Sequence, residues 1–459
     1  MQAAFQDRKE LSTLTPGAPL DDYRWLIGAE GRNWLAEVAQ APGDLPNVAG
    51  RLRKELSAAR VHLLLEQVEL RRRGQKKFSA ADRMFFTTLG LEQATDQWVA
   101  AYKASRFPHA APVADLCCGI GGDLLALAAR TGVLGIDRDE VAALFARANL
   151  AATRESSADS LQGEVICGDI AEAPLGNIAA WHIDPDRRPQ GRRTTCVELH
   201  EPGVPALERL LTACPEGAIK LAPAAELPNR WAEAAELEWI SRGGECRQLV
   251  AWFGSLAHAP GWRRASMVKP RAGDLASGGR QPPGAQSSSA DRVARNAEPD
   301  QRAVYQDAVP QDAAPLGLRS IVGRAGLELS VASDFGRFLA EPDAAVLAAN
   351  LTGALAAQRH LAAIAPGSVY LTGDQATPDP ALVWFEITDV LPFDVKRLKS
   401  LLRERRCGRL EIKKRGVPHD PEQVRRQLRV PGDDAATVFI TRVRDAVTAI
   451  VARRLHNAR

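Results

Sequence analysis

An acidic residue followed by a cluster of glycines is the pattern in this sequence that most specifically indicates a chemical function. Asp115 is followed by Leu-Cys-Cys and then by Gly-Ile-Gly-Gly at residues 119–122. Residues 113–117 have the apolar character of a buried strand, and residues 124–128 have the spacing of a helix that packs on a sheet. Glycines in the turn between them let the backbone approach a ligand too closely for any Cβ. The segment therefore predicts a nucleotide-cofactor site.

The spacing of the glycines separates two cofactor classes. The dinucleotide fingerprint is G-x-G-x-x-G, but the sixth position counted from Gly119 is Leu124. The form D-x-x-x-G-x-G-G instead resembles motif I of class I S-adenosylmethionine-dependent methyltransferases. In such a site the Asp115 carboxylate offsets the positive amino group of the cofactor, directly or through water, and the glycines leave room for its amino-acid and ribose portions. The predicted cofactor-binding residues of the turn are Asp115, Cys117, Gly119, Gly121 and Gly122.

Two further predicted strands supply acidic residues in the order that this architecture uses. The second strand, Val133–Asp137, places a carboxylate about twenty residues after the turn, where it would bind the ribose diol. The third, residues 164–170, carries Asp169, which with Ile170 would lie near the adenine. Each acid alone is an ordinary loop residue. In this order, they predict S-adenosylmethionine as the cofactor.

The fourth predicted strand, residues 179–183, leads into Asp184-Pro185-Asp186-Arg187. The segment resembles the Asp/Asn-Pro-Pro-aromatic motif of methyltransferases that act on exocyclic amines, but Asp186 and Arg187 replace the second proline and the aromatic residue. We predict these four residues as the catalytic segment. Asp184 would orient the acceptor, and the Arg187 guanidinium or an aromatic residue elsewhere would stack on the target. A salt-bridged turn is the structural alternative.

No other pattern in the chain competes for chemistry. There is no G-x-S-x-G, no G-x-x-x-x-G-K-[ST] and no H-E-x-x-H. The seven cysteines form no C-x-x-C pair, so we expect neither a disulfide framework nor a metal site. His182 is interpreted as a core residue of the fourth strand. The composition is that of a soluble globular protein, with 45% hydrophobic and 25% charged residues, and without a recognisable signal peptide or membrane span we expect a cytoplasmic location.

The chain is predicted to have four regions and an α/β fold. A helical N-terminal region (1–110) precedes a Rossmann-like, doubly wound and mainly parallel sheet (111–269). A segment rich in Gly, Pro and Ser (270–318) is predicted to be a disordered linker or insertion. The last region (319–459) is predicted to be a small basic α/β domain. There we expect one alanine-rich helix over 344–361 and another over 394–406 that ends at Gly408.

Two segments are strongly basic. Residues 51–77 contain nine Lys or Arg against three Glu, which suits either a solvated helix face or contacts to substrate phosphates, with Lys77 as a candidate contact. Residues 396–429 contain thirteen Lys or Arg against four Asp or Glu. Such an excess on a helix-strand-helix unit favours a polyanionic partner. The candidate substrate-binding residues in this segment are Lys413, Lys414 and Arg415.

Several segments together resemble bacterial class I S-adenosylmethionine-dependent methyltransferases that carry a C-terminal THUMP-like domain. They are residues 77–85, 92–95, 115–122, 184–188, 341–344 and 408–416. The cofactor strands are also distantly similar to trimethylguanosine-synthase-type RNA methyltransferases. The resemblance implies an enzyme that methylates RNA, because THUMP domains bind RNA, and it implies that Glu92, Gln93 and Thr95 lie near the site.

Two other functions remain open on the sequence. The altered residues Asp186 and Arg187 would also suit a non-catalytic RNA-binding protein that retains a cofactor pocket. A methyltransferase of a protein or a small molecule is the third possibility.

Overall fold

The computed structural model describes residues 18–40, 45–109, 111–154, 163–188, 192, 194–270, 316–444 and 446–455. By internal contacts the chain divides into two compact units. Within the described ranges, residues 18–192 and 198–219 belong to the first unit, and residues 194–197, 220–270 and 316–455 to the second. The predicted linker 270–318 lies almost entirely outside the described residues. The four predicted region boundaries stay a prediction.

The first unit begins with helices, as predicted. Its described N-terminal helices are α1 (Leu20–Ile27), α2 (Ala29–Gln40), α3 (Leu45–Leu52), α4 (Ala58–Gly74), α5 (Thr88–Gln93) and α6 (Gln97–Ala104). Side-chain oxygens cap several of them. Ser57 accepts a hydrogen bond from Arg60 N at the start of α4, and Asp96 accepts from Trp98 N and Val99 N at the start of α6.

Five parallel strands follow, of which the first four and residues 217–219 of the fifth belong to the first unit. They are β1 (Val113–Leu116), β2 (Val133–Asp137), β3 (Gly163–Cys167), β4 (Ala180–Ile183) and β5 (Gly217–Leu221), in the spatial order β3-β2-β1-β4-β5. Their helices are α7 (Gly122–Ala128), α8 (Glu140–Arg154) and α9 (Val204–Ala213). The predicted Rossmann-like sheet is confirmed. The strand order reverses at β1, and ligands of open α/β sheets bind beyond the carboxyl ends of the strands at such a point.

The N-terminal helices pack on the Rossmann-like region that follows them. A continuous apolar cluster joins Leu26 of α1 and Leu64 of α4 to Phe145 of α8 and Ile120 of the glycine turn. Asn149, which is completely buried, links the same elements by polar contacts: its amide donates to Ile120 O at 2.9 Å, and its oxygen accepts from Phe85 N at 2.7 Å. The helical region therefore supports the turn directly.

The second unit contains two groups of strands. In the first group, β6 (Glu236–Arg242), β7 (Glu245–Trp252), β8 (Arg263–Pro270) and β9 (Leu316–Gly323) lie in the order β7-β6-β8-β9, with α10 (Asn229–Ala234) before them. A Gly243-Gly244 turn joins β6 to β7, and both glycines have positive φ, of 64° and 79°. That conformation matches the twist of a two-residue hairpin turn.

The second group is a seven-stranded, mostly antiparallel sheet in the order β11-β12-β10-β13-β16-β15-β14. Its strands are β10 (Phe338–Pro342), β11 (Ala362–Ala363), β12 (Leu371–Gly373), β13 (Leu382–Pro392), β14 (Cys407–Arg415), β15 (Asp434–Val443) and β16 (Ala446–Arg454). The helices α11 (Ala344–Ala348) and α12 (Thr352–Arg359) follow β10 in sequence but pack on the first group of strands, whereas α13 (Val395–Glu404) and α14 (Pro421–Gln427) pack on the seven-stranded sheet.

Two local predictions for this sheet region were wrong. The predicted helix 344–361 is two helices, because the chain turns at Asn350, which has a φ of 56°. The helix predicted to end at Gly408 ends at Glu404, and Arg406 adopts the positive φ of 55° instead. Gly408 lies within β14, where a Cβ would be 2.1 Å from the carbonyl oxygen of Gly432. It is needed for that close approach.

The two faces of the seven-stranded sheet have separate cores. On one face, Leu398 of α13, Val424 of α14 and Val438 of β15 pack together. On the other face, Tyr370, Phe385 and Phe439 form an aromatic cluster. The helices α13 and α14 therefore form one layer over a single face of the sheet. No helix among the described residues is long and apolar enough to cross a membrane.

Candidate active site

The glycine turn after β1 is open on one side and packed on the other. Gly119 and Gly121 have positive φ, of 55° and 90°. A Cβ on Gly119 would have no heavy atom within 4 Å, so the backbone there faces open space. A Cβ on Gly122 would be 3.1 Å from Thr95 O, so that glycine is held against residues 94–95. A ligand can therefore approach the turn at Gly119.

Asp137 is brought directly to this turn. Its Oδ2 accepts from Gly119 N at 2.7 Å, and its Oδ1 accepts from Asp139 N at 2.9 Å. Burial raises the pKa of the carboxyl, while the two backbone hydrogen bonds oppose the rise. Each carboxylate oxygen retains a further lone pair. Asp137 can therefore accept hydrogen bonds from a diol while it shapes the turn.

The third strand end reaches the same edge of the sheet. Gly168 N donates to the carbonyl oxygen of Asp137 at 3.0 Å. Asp169 is exposed, and its Oδ1 accepts from Ala171 N at 2.8 Å, capping a short 3₁₀ turn that begins at Ile170. The cap orients the loop, and Ile170 beside it is half-buried.

Asp184 follows β4 at the same edge. Its backbone N donates to Leu116 O at 3.3 Å, and its side chain is half-buried, whereas Pro185 is buried. Burial raises the pKa of the Cys117 thiol, and the carboxylates of Asp137 and Asp184 both add to the rise. The ends of β1, β2 and β4 thus share one electrostatic environment.

The residues that depart from the amine-methylating motif have local contacts. Asp186 and Glu201 exchange backbone hydrogen bonds of 2.8 and 3.0 Å. The Asp186 Oδ1 accepts from Arg188 N at 3.0 Å, and Arg138 pairs with the Glu201 carboxylate. Arg187 is half-buried. Asp186 therefore shapes the turn after β4 with its backbone and its carboxylate.

A chain of buried polar side chains runs beneath the turn. His182 Nδ1 lies 2.7 Å from Asp115 Oδ1, and its Nε2 lies 3.0 Å from Lys103 Nζ. Lys103 Nζ also lies 2.8 Å from Asp123 Oδ1, and the Thr95 hydroxyl donates to Asp123 Oδ2 at 2.7 Å. The side chains of Asp115, His182 and Lys103 are no more than 2% exposed. We call these five residues the buried chain.

Sequence reasoning identified Asp115 but not the environment that holds it. Burial raises the pKa of Asp115, while the hydrogen bond and charge interaction with His182 oppose the rise. His182 is a core residue, as interpreted, but it is also a hydrogen-bond partner. A sequence signal for Lys103 does exist: it is a charged residue on a short helix whose neighbours Val99, Ala100 and Ala104 are apolar.

Of the predicted substrate residues in the first unit, Lys77 is engaged with the protein itself. Its ammonium donates to the carbonyl oxygens of Leu91, Glu92 and Ala94 at 2.8, 2.9 and 2.8 Å. It thereby binds the last turn of α5. The Glu92 and Gln93 side chains are exposed, and Thr95 contacts the turn through Asp123.

The predicted substrate residues of the second unit lie on two faces of β14. Lys413 pairs with Glu341 at 2.5 Å, and Arg415 interacts with Tyr370, whose pKa is raised to about 12 chiefly by burial. Both contacts are on the aromatic face of the sheet. Lys414 points to the helix-covered face, where Nζ lies 3.5 Å from Val417 O. The three side chains therefore do not form one patch.

Comparison with known proteins decides the family. Two strains of Mycobacterium tuberculosis have an uncharacterized S-adenosylmethionine-dependent methyltransferase that is 30% identical over 390 residues, covering 83% of this chain and 92% of the relative. The chain belongs to this methyltransferase family. Its cofactor is S-adenosylmethionine.

Two sequence profiles and a solved structure also match parts or most of the chain. A sequence profile described as THUMP domain-like matches residues 382–454, and one for a domain of unknown function matches residues 19–74. A solved structure of a candidate methyltransferase from Porphyromonas gingivalis W83 superimposes with a TM-score of 0.67 at 17% identity, covering 95% of this chain and 98% of that one.

The residues of the methyltransferase fit its cofactor. The open side of the turn at Gly119 gives access, and Asp137 retains acceptor capacity next to it. Asp115 Oδ2 is buried and has no hydrogen-bond partner among the described residues. Such an oxygen requires a donor or a positive charge. No cluster of three or more metal-ligating side chains occurs among the described residues.

Proposed function

We propose that this methyltransferase acts on structured RNA, which the THUMP-like region binds. The observation that carries the proposal is an exposed, unpaired basic surface on α13 and α14, which we call the basic helix layer. Its members are Lys396, Arg397 and Arg403 on α13, Arg406 just after α13, Arg426 on α14 and Arg429 just after α14. None of the six side chains makes an ion pair among the residues that the structure describes, so all remain available to phosphates.

The arrangement of these cations supports a polyanion rather than a small acidic ligand. Leu398 and Leu402 turn the inner side of α13 into the core, and Val424 and Leu428 do the same for α14. The basic side chains are left on the outer side of both helices. Cations spread over two neighbouring helices suit a chain of phosphates, since each adds a separate contact and each contact releases counterions.

For the cofactor, we propose the residues that the sequence predicted. The glycine turn would admit the amino-acid and ribose portions, Asp137 would bind the ribose hydroxyls, and Asp169 with Ile170 would lie beside the base. Cys117 would contribute backbone at the turn. Since Asp115 is buried, its effect on the cofactor would be through charge or a bridging water.

For catalysis, we propose that Asp184 orients the acceptor and accepts its proton. S-adenosylmethionine supplies a methyl group on a sulfonium, which is transferred by direct displacement. Alignment of the two reactants lowers the barrier by about 7–11 kcal/mol, and an acid-base residue adds a factor of about 10²–10⁴. Pro185 and Asp186 would fix the segment, and Arg187 would contact the target. Glu92 and Gln93, which are exposed, would contact the substrate.

The proposal is tested by transfer of labelled methyl groups from S-adenosylmethionine to total RNA and total protein of a strain that lacks the gene. We expect label in RNA with the wild type and a loss of about 10²–10⁴ with Asp184→Ala, with cofactor affinity retained. Glu30→Gln, an exposed carboxylate on α2, is the control and should behave as wild type. Label in protein alone contradicts RNA as the substrate, and no label in any fraction favours a binding protein.

A further inference from the structure

Two arginines of the N-terminal helices lie over one buried phenyl ring. The guanidinium carbon of Arg32, on α2, is 5.7 Å from the centre of the Phe85 ring, and that of Arg71, on α4, is 5.1 Å from it. Phe85 is 1% exposed, whereas Arg71 is half-buried and Arg32 is exposed. An aromatic ring attracts cations through its quadrupole, so this ring keeps two like charges near each other.

Each guanidinium is also fixed by a backbone carbonyl. Arg32 Nε donates to Ile27 O at 2.8 Å, and Arg71 Nε donates to Met84 O at 2.9 Å. The terminal nitrogens carry the remaining N–H groups of each guanidinium, and these make no hydrogen bond to the described residues. A side chain that is already ordered loses little entropy when it binds a ligand. The two arginines therefore present donors in a fixed arrangement.

Among the described residues, no carboxylate forms an ion pair with either cation. Burial lowers the pKa of Arg71 to about 10; the charge of Asp82 opposes the fall, and that of Arg32 adds to it. Asp82 thus reduces the positive charge felt by Arg71 without pairing with it. An anion that bound between or beside the two guanidiniums would compensate the charge that the protein leaves unpaired.

Arg60, on the same helix α4, shows the contrasting arrangement. It also lies over an aromatic ring, with its guanidinium carbon 4.6 Å from the centre of Trp25, but its Nε pairs with Asp22 at 2.8 Å. A ring and an acid together satisfy that cation within the protein. At Arg71, a second arginine stands where Arg60 has an acid.

The ring that carries the two arginines is attached to the cofactor region. Phe85 N donates to Asn149 Oδ1 at 2.7 Å, and the Asn149 amide donates to Ile120 O of the glycine turn at 2.9 Å. On the other side, the Gln67 side chain of α4 accepts from Phe86 N at 3.0 Å. An anion held by the arginines would therefore have a defined position relative to the turn.

We propose that Arg32 and Arg71 bind phosphate groups of the RNA substrate, so that the segment matched by the profile of unknown function, residues 19–74, contacts RNA. The planar fork of a guanidinium matches the oxygens of a phosphate, and such charge-assisted hydrogen bonds are stronger than neutral ones. The proposal rests on RNA as the substrate of the methyltransferase. It assigns to the first unit a contact of its own, separate from the basic helix layer.

The test is the binding of a labelled RNA hairpin of mixed sequence to the full chain over a range of salt concentrations. Arg32→Gln, at an exposed position, should lower affinity about threefold and reduce the slope of log affinity against log salt by about 0.7–0.9. Arg71→Gln should have a similar effect, and the double variant should lose about tenfold. Arg60→Gln, which removes a paired cation from the same helix, is the matched control and should keep the wild-type affinity and slope.

Arg71→Gln also loses the hydrogen bond to Met84 O, so its unfolding is measured, and Arg32→Gln decides the result if Arg71→Gln is unstable. Wild-type affinity and slope in Arg32→Gln would overturn the proposal, as would an equal loss in Arg60→Gln, which would show a general effect of charge. Weaker binding of a phosphoserine peptide with unchanged RNA binding would assign the arginines to a phosphoprotein instead. Failure of RNA as the substrate is distinguishable, because the wild type itself would then bind no hairpin and label no RNA.

Discussion

In the first unit, Lys103 and Asp115 are removed almost completely from solvent, whereas in the second unit Arg397 and Arg426 are exposed and make no ion pair among the described residues. The buried groups act by position, because each has a defined partner at hydrogen-bond distance in a medium of low dielectric. The exposed groups act by number, because water and salt screen each one.

Within the second unit, the two faces of the seven-stranded sheet also differ in how their charges are paired. On the aromatic face of the seven-stranded sheet, the charges neutralise one another: Lys413 pairs with Glu341, and Arg454 pairs with Glu411 at 2.9 Å. On the helix-covered face, the cations of the basic helix layer make no ion pair within the part of the chain that the structure describes. A count of basic residues along the sequence combines both faces, although Lys413 and Arg454 on the aromatic face are already in ion pairs.

The largest effect is expected where one partner of the buried chain is removed. Lys103→Met removes the buried cation that lies 2.8 Å from the Asp123 carboxylate, so the free energy of unfolding should fall by about 3–5 kcal/mol. Adding Asp123→Asn to that variant should recover part of the loss, because it removes the unbalanced charge. Denaturant unfolding followed by tryptophan fluorescence measures both. A loss below about 1 kcal/mol, as for an exposed pair, would contradict the buried description.

Removing cations from the basic helix layer should weaken RNA binding and leave the stability of the fold nearly unchanged. Arg397→Ala, Arg403→Ala and Arg426→Ala together should lower RNA affinity about tenfold or more near physiological salt, because three phosphate contacts are lost. The slope of log affinity against log salt should shrink by about one for each contact. Stability should change by no more than about 0.5 kcal/mol per site. Unchanged affinity and slope in filter binding would place the RNA elsewhere.

The structural features that the sequence predicts correctly are local ones. The bounds of β2 (Val133–Asp137) agree with the predicted strand. The sequence Asp420-Pro421-Glu422 is also typical of a helix start with an acidic cap and a proline at the first position, and α14 begins in this way. Each depends on residues within one turn or one strand. The glycine turn is equally local, since its spacing alone excluded the dinucleotide class.

The buried chain could not be predicted in this way. His182 meets Lys103 across 79 positions and Asp115 across 67 positions of the chain. Those contacts depend on the alignment of β1 with β4, in which Asp115 is paired with His182, and on the packing of α6 beneath the turn. Likewise, the alternation of β14 separates Lys414 from Lys413 and Arg415, although the three are adjacent in sequence.

Asp115→Asn should show that the buried charge reduces stability. Burial raises the pKa of Asp115 in the folded protein above its unfolded value, so the folded state binds the proton more tightly. Stability is therefore lost as pH rises from about 4 through the folded pKa, and it stays lost above that value. The unfolding free energy of Asp115→Asn relative to wild type should rise over that range in the cofactor-free protein. A difference that is independent of pH would contradict the raised pKa.

The smallest effect is expected for Lys413, on the aromatic face of the sheet. Lys413→Gln removes a partly exposed ion pair with Glu341, so the free energy of unfolding should fall by about 1 kcal/mol or less. RNA affinity should stay within about twofold of wild type, because the charge is already neutralised within the sheet. Arg397→Gln on α13 is the matched change and should lower affinity more. If Lys413→Gln has the larger effect, RNA binds to the aromatic face, and the paired charges there open on binding.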